Sequence, residues 1–194
     1  MRRVTARPTI ATILACLGIF ALQEIGSTVG IGSGAFALSV PLGHQPWTIV
    51  TSVYAHAGIA HLIANSVAVL VIGSLVARVT TPGRFHAFFI TTGAIAGVIQ
   101  VLVAVPFGGI AVLGASGSVF ALLGYALVGN RASERALAWL ALGRRARVGL
   151  LVLVAALLTA ATAAPGVALV AHFAGFCLGA GAGRFRLLHV DAGS

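Results

Sequence analysis

Six runs of apolar residues, at about 9–25, 61–79, 85–105, 115–129, 148–163 and 167–183, fill most of the chain and carry almost no charge. Lipid cannot satisfy an open backbone, so apolar runs of this length read as helices. A spanning helix needs about 20 apolar residues, and 194 residues hold about six with short connections and no separate soluble domain. Turns are expected at Thr81-Pro82-Gly83, Pro106-Phe107-Gly108-Gly109 and Pro165-Gly166, where Gly and Pro punctuate the gaps. The expected fold is an all-α membrane protein: one domain over 1–194, a bundle of six transmembrane helices.

The charge pattern gives this bundle a direction. All twelve basic residues are Arg and sit at the ends of the apolar runs. Arg2, Arg3 and Arg7 precede the first run; Arg78 and Arg84 bracket the second turn; Arg131, Arg135, Arg144, Arg145 and Arg147 fill the loop after the fourth; Arg184 and Arg186 follow the sixth. With six spans every Arg falls on one side, and the positive-inside bias puts both termini there, in the cytoplasm. The net charge of +9 is thus a topology signal and not a nucleic-acid surface. The expected location is the cell membrane, as a multi-pass protein in the lipid bilayer.

Residues 27–41 are apolar enough to pass for a seventh span, but counting them would separate the N-terminal Arg cluster from the other nine. Residues 26–60 are therefore expected to form a long uncharged outer loop, with Trp47 and Tyr54 as interfacial anchors. The first run has the basic start and apolar core of a signal peptide. It has no convincing cleavage site before Glu24, so it is read as a retained helix.

Acid scarcity excludes several chemistries. Glu24 sits at the outer end of the first helix, Glu134 in a cytoplasmic loop and Asp191 in the tail. An aspartyl-type membrane protease needs two intramembrane carboxylates, and a zinc protease needs H-E-x-x-H. Cys16 and Cys177 give neither a disulfide framework nor metal-ligand spacing, and no cofactor is expected. That leaves a Ser paired with a His, unaided by Asp, or polar residues with a structural role alone.

The polar candidates are Ser116 in Gly114-Ala115-Ser116-Gly117, His172 in Ala171-His172-Phe173-Ala174-Gly175, and His56, His61 and Asn65 in HAGIAHLIAN. Counted from the Arg ending each helix, Ser116 lies fifteen residues away, His172 twelve and His61 seventeen. At 1.5 Å rise these are heights of roughly 22, 18 and 26 Å. In a core about 30 Å thick, all three fall in the outer half. Gly175, Gly179 and Gly183 share the His172 face, while Gly117, Ala121 and Gly124 form a small-residue face on the fourth helix. Such faces let helices approach closely, which would carry Ser116 toward His172. Taken singly, a Ser in a membrane helix usually packs or bonds back to its own helix, and glycine spacing usually means packing. An intramembrane His points to function, and the coincidence of depth favours a site.

These residues resemble the motifs of the rhomboid family of intramembrane serine proteases, over nearly the whole chain from the first helix to Gly183. The family's G-x-S-G is here Gly114-Ala115-Ser116-Gly117, and its H-x-x-x-N is His61-Leu62-Ile63-Ala64-Asn65. Its A-H-x-x-G-x-x-x-G runs from Ala171-His172 through Gly175 and Gly179. The resemblance implies a rhomboid-like bundle and a Ser/His dyad. Ser116 would be the nucleophile and His172 the general base and then acid, with His61, Asn65 and the Ser116 backbone N–H as oxyanion donors. It implies a membrane-protein substrate whose transmembrane helix unwinds near its outer end, entering past helix five or the loop before helix six.

Two positions depart from the family pattern. Trp47 is followed by Thr48 where related bacterial members have Arg, and Phe120 stands where Tyr is frequent, able to stack beneath His172 but lacking a hydroxyl. His56 matches a frequent family His and is expected to support the outer loop. The alternative reading is a rhomboid-like pseudoprotease that binds or escorts membrane helices without cleavage. Such relatives typically lose the Ser or the His, and this chain keeps both. A small transporter would be expected to show paired repeats, and the two halves show none.

Overall fold

The computed structural model describes residues 7–130, 135, 139 and 142–190; Arg2, Arg3, Arg131, Glu134 and Asp191 lie outside them. The long helices among the described residues are α1 (Arg7–Thr28), α2 (Ile59–Ala77), α3 (Pro82–Ala104), α4 (Ser116–Val128), α5 (Arg144–Ala160) and α6 (Leu169–Arg184). By length and composition α1, α2 and α3 can each cross a membrane, whereas α4 is an apolar helix of only 13 residues.

Local chemistry explains the boundaries. At the end of α1 the Ser27 and Thr28 hydroxyls each bond back, at 2.7 Å, to the carbonyls of Glu24 and Ile25, a pattern that competes with further helix. Thr81 caps α3 by accepting the Arg84 N–H at 3.3 Å, and Pro82 occupies the first turn, where its missing N–H costs nothing. Within α2 a π-helical stretch, Val69–Gly73, lies where α1 and α3 press close: a Cβ on Gly73 would meet the Thr9 methyl and the Phe85 ring.

The packing puts α4 in the middle. Ala121, Leu122 and Tyr125 are fully enclosed, joined by Phe85 and Phe89 of α3 and by Val69 and Val76 of α2. On the other side α4 meets α6 almost backbone to backbone: a Cβ on Gly175 would fall on the Gly117 carbonyl, and one on Gly179 on the Ala121 carbonyl. Between helices in lipid there is no hydrophobic drive, so this close van der Waals contact holds the pair. The outermost helices differ in kind. Only 28% of the apolar window is buried in α1 and in α2, against 50% in α3, and Leu14, Leu17, Leu22, Ile63, Val67 and Leu70 face outward. So continuous an apolar exterior suits a bilayer.

The two ends of the bundle are chemically distinct. At one, Arg84 Nη1 donates to the His189 carbonyl at 3.1 Å, the Val190 N–H bonds the Val79 carbonyl at 3.1 Å, and the Tyr125 hydroxyl meets His189 Nδ1 at 2.7 Å. These contacts gather the Arg78, Arg84, Arg184 and Arg186 ends of the chain. At the opposite end lie the first residues of α2, α4 and α6.

Residues 29–58 form a loop with a single 3-10 turn at Ser33–Ala35 and a helical turn at Thr48–Thr51. It is tied to the α3–α4 connection by a two-bond bridge between Leu38 and Val112, each bond 2.8 Å. Trp47 is exposed, its indole N–H bonded to the Ala35 carbonyl at 3.0 Å. Tyr54 departs from the expected interfacial anchor: its ring turns inward against Phe89, centroids 6.0 Å apart, because the loop folds over α3.

Candidate active site

The turn leading into α4 is built around Gly114. Its φ of +131° lies in the region that favours glycine, and a Cβ there would meet His61 Cε1 at 2.7 Å. The His61 imidazole thus packs directly over the Gly114 backbone. The Gly114 N–H bonds the Ser52 carbonyl at 2.8 Å, fastening the turn to the outer loop. Ala115 is buried, and Ser116, partly exposed, opens α4. The Ser116 N–H belongs to the helix's first turn, where no intrahelical carbonyl is available to it.

His172 is the fourth residue of α6. Its helix start is anchored on α3, where Gln100 Oε1 accepts the Ala171 N–H at 3.1 Å. With α4 and α6 in backbone contact, His172 Nε2 and Ser116 Oγ come within 2.8 Å. The imidazole lies flat on Phe120, centroids 4.4 Å apart and planes at 12°, and it is only 6% exposed. Its second nitrogen, Nδ1, meets Thr162 Oγ1 at 2.9 Å. A hydroxyl within hydrogen-bond reach of an imidazole is a pair through which a proton can move.

The neighbouring polar residues divide. His61 faces the Ser116 turn, while Asn65, buried on the next turn of α2, donates its Nδ2 to the His61 carbonyl at 3.1 Å. His56 does not enter the Ser116–His172 pair. Its N–H donates to Gln23 Oε1 at 2.9 Å, its carbonyl accepts Gln23 Nε2 at 3.2 Å, and its Nδ1–H donates to the Tyr54 carbonyl at 2.9 Å. That leaves Nε2 buried and unpartnered, with the His61 ring edge-on at 5.1 Å. Burial, followed by the proximity of His61, pulls the His56 imidazole down to about 4, against the partial opposition of the Tyr54 carbonyl. Among the described residues, no three His, Cys, Asp or Glu side chains are grouped so as to hold a metal ion.

Three of these contacts are absent from the sequence-based expectations: Thr162 to His172, Gln100 to the α6 start, and Gln23 to His56. For the two glutamines a signal exists, since an amide deep in an apolar run must find a partner. For Thr162 there is none, because a Thr at a helix end is ordinarily a local cap.

The Rhomboid domain family matches residues 43–188, a stretch that includes Ser116, His172, His61 and Asn65. The chain is also 34% identical over 135 residues to the Rhomboid protease GluP of Bacillus subtilis (strain 168), an alignment covering 64% of this chain and 26% of that protein. The chain thus matches about a quarter of the length of that curated relative. With a family match over most of its length and helices apolar enough to span lipid, this chain belongs to the rhomboid family and is a multi-pass membrane protein.

Proposed function

We propose that this chain is an intramembrane serine endopeptidase that cleaves transmembrane segments of membrane-protein substrates by a Ser116/His172 dyad. The observation that carries the reading is the 2.8 Å contact between Ser116 Oγ and His172 Nε2 at the paired starts of α4 and α6. Ser116 Oγ attacks the scissile carbonyl as its proton passes to His172 Nε2. The tetrahedral oxyanion is stabilised by the Ser116 N–H at the positive end of α4, with His61 and Asn65 as further donors. His172 then protonates the leaving amine, and a water, deprotonated by the same imidazole, releases the acyl group.

The reading extends to topology. The chain forms one domain of six spans in the cell membrane, its Arg-bearing end and both termini cytoplasmic. At 1.5 Å per residue, α4 is only about 20 Å long against a hydrocarbon core of about 30 Å. Its start therefore sits below the outer surface, where an unwound substrate helix and water can both reach Ser116.

Fluorophosphonate labelling tests the proposal without knowledge of the substrate. The folded wild-type protein is expected to be labelled at Ser116, with labelling and cleavage of a membrane substrate abolished in Ser116→Ala and His172→Ala. A folded wild-type protein that takes no label and cuts nothing would reject the enzyme and favour a rhomboid-like protein that holds helices without cleaving them.

A further inference from the structure

A Ser/His pair with no carboxylate leaves one question of proton placement. Neutral imidazole carries a single N–H, on one nitrogen or the other. His172 can take the Ser116 proton only if Nε2 holds the lone pair, which requires the proton on Nδ1. In the opposite tautomer Nε2 would present a hydrogen to Ser116 Oγ and could accept nothing.

We infer that Thr162 is a positioning residue that holds His172 in the reactive tautomer. The inference rests on the dyad proposed above. The Thr162 side chain has one proton and an oxygen able to accept. The proton is committed to its own helix end, where Thr162 Oγ1 donates to the Thr159 carbonyl at 2.7 Å. A carbonyl only accepts, so this bond has one possible direction. At the His172 contact, 2.9 Å from Nδ1, Thr162 Oγ1 is therefore left as the acceptor, and the Nδ1–H points to it.

The direction then propagates. Thr162 O–H donates to Thr159 O, His172 Nδ1–H donates to Thr162 Oγ1, and Ser116 O–H donates to His172 Nε2. Each polar group in the line has one role, and the line ends on a backbone acceptor. When the imidazole becomes an imidazolium during turnover, the same Nδ1–H bond becomes charge-assisted and strengthens. A neutral hydroxyl thus performs, more weakly, the orienting task that a carboxylate performs in a three-residue triad. Phe120 cannot do so: it contacts only the face of the ring and has no polar atom.

The position of Thr162 adds a consequence. It lies just beyond α5, on the exposed turn that leads through Pro165-Gly166 to α6. The proton arrangement at His172 is thereby tied to the seating of that turn.

The test combines tautomer spectroscopy with kinetics on the full chain in detergent. In 15N-histidine-labelled wild-type protein, with the His172 signals assigned by their loss in His172→Gln, Nδ1 is expected to be the protonated nitrogen. Thr162→Val keeps the shape and removes the hydroxyl. It is expected to lower kcat and the fluorophosphonate labelling rate about tenfold, to leave KM for a membrane substrate within about twofold, and to mix the tautomers. Thr162→Ser is expected to restore most of the rate and the single tautomer. A wild-type His172 protonated on Nε2 would overturn the inference whatever the variants do. So would a Thr162→Val protein with wild-type kcat, or a loss shared equally by Val and Ser. If the wild type is not labelled at Ser116, the dyad fails and this inference with it; normal labelling with an indifferent Thr162→Val removes only the role of Thr162.

Discussion

The imidazole of His172 lies on the Phe120 ring at a centroid distance of 4.4 Å with the planes 12° apart. The two residues are on different helices, so the stack fixes the χ angles of the proposed base without using either ring nitrogen. Aromatic pairs of this kind are worth about 0.5–1.5 kcal/mol beyond the area they bury. Phe120→Leu is expected to lower kcat about three- to tenfold with little change in thermal stability, while Phe120→Tyr stays near wild type. Steady-state cleavage of a membrane substrate by the purified variants checks both.

The α4–α6 contact depends on absent side chains. Gly179 faces the Ala121 carbonyl so closely that any Cβ requires the helices to part. Gly179→Val is expected to destabilise the protein by about 1–3 kcal/mol, the usual cost of overpacking, and to suppress labelling of Ser116 by widening its gap from His172. Gly181, with open space at its Cβ position, serves as the control: Gly181→Val should denature and label like wild type. A denaturant titration followed by tryptophan fluorescence separates the two.

His61 and Asn65 are placed differently toward the Ser116 turn, and their variants should differ accordingly. His61 packs over Gly114, and His61→Ala is expected to cut kcat about 100-fold while KM changes little, as for loss of one oxyanion donor. The Asn65 amide is already engaged with the His61 carbonyl. Asn65→Ala should therefore cost less, about tenfold in kcat. A dominant rise in KM in either variant would assign it to substrate binding instead.

His56 supplies a pH dependence. With its pKa pulled from the ordinary 6.5 down to about 4 in the folded loop, it binds fewer protons folded than unfolded throughout that window. Its contribution is fully present above pH 6.5 and is lost as the pH falls toward 4. Thermal midpoints in detergent should fall over this interval, and His56→Leu, less stable at neutral pH, should show the shallower decline. Parallel slopes in the two proteins would exclude His56 as the group responsible.

The helices and the Ser116–His172 meeting were legible for a physical reason. Apolar runs in lipid have few alternatives to helix, the Arg residues at their ends supply a ruler, and Gly175 and Gly179 announce which faces touch. Phe120 beneath His172 followed from the family resemblance, which places an aromatic ring one turn after the nucleophile. What escaped depends on chain paths that periodicity does not encode. Thr162 reaches His172 only because of how the α5–α6 turn folds back, and Tyr54 faces Phe89 only because the outer loop closes over α3. Gln23 and Gln100 were readable as buried amides in need of partners, but their partners are backbone groups, which look alike at every position.

The Gln23 contact bears on where the working unit begins. The family match starts at residue 43, downstream of all of α1, yet the Gln23 amide grips the main chain of His56 in both directions, like a two-pronged clasp. A protein trimmed to the matched segment would lose that clasp and leave one donor and one acceptor stranded a few residues from His61. The first helix is in this sense the keystone of the outer rim.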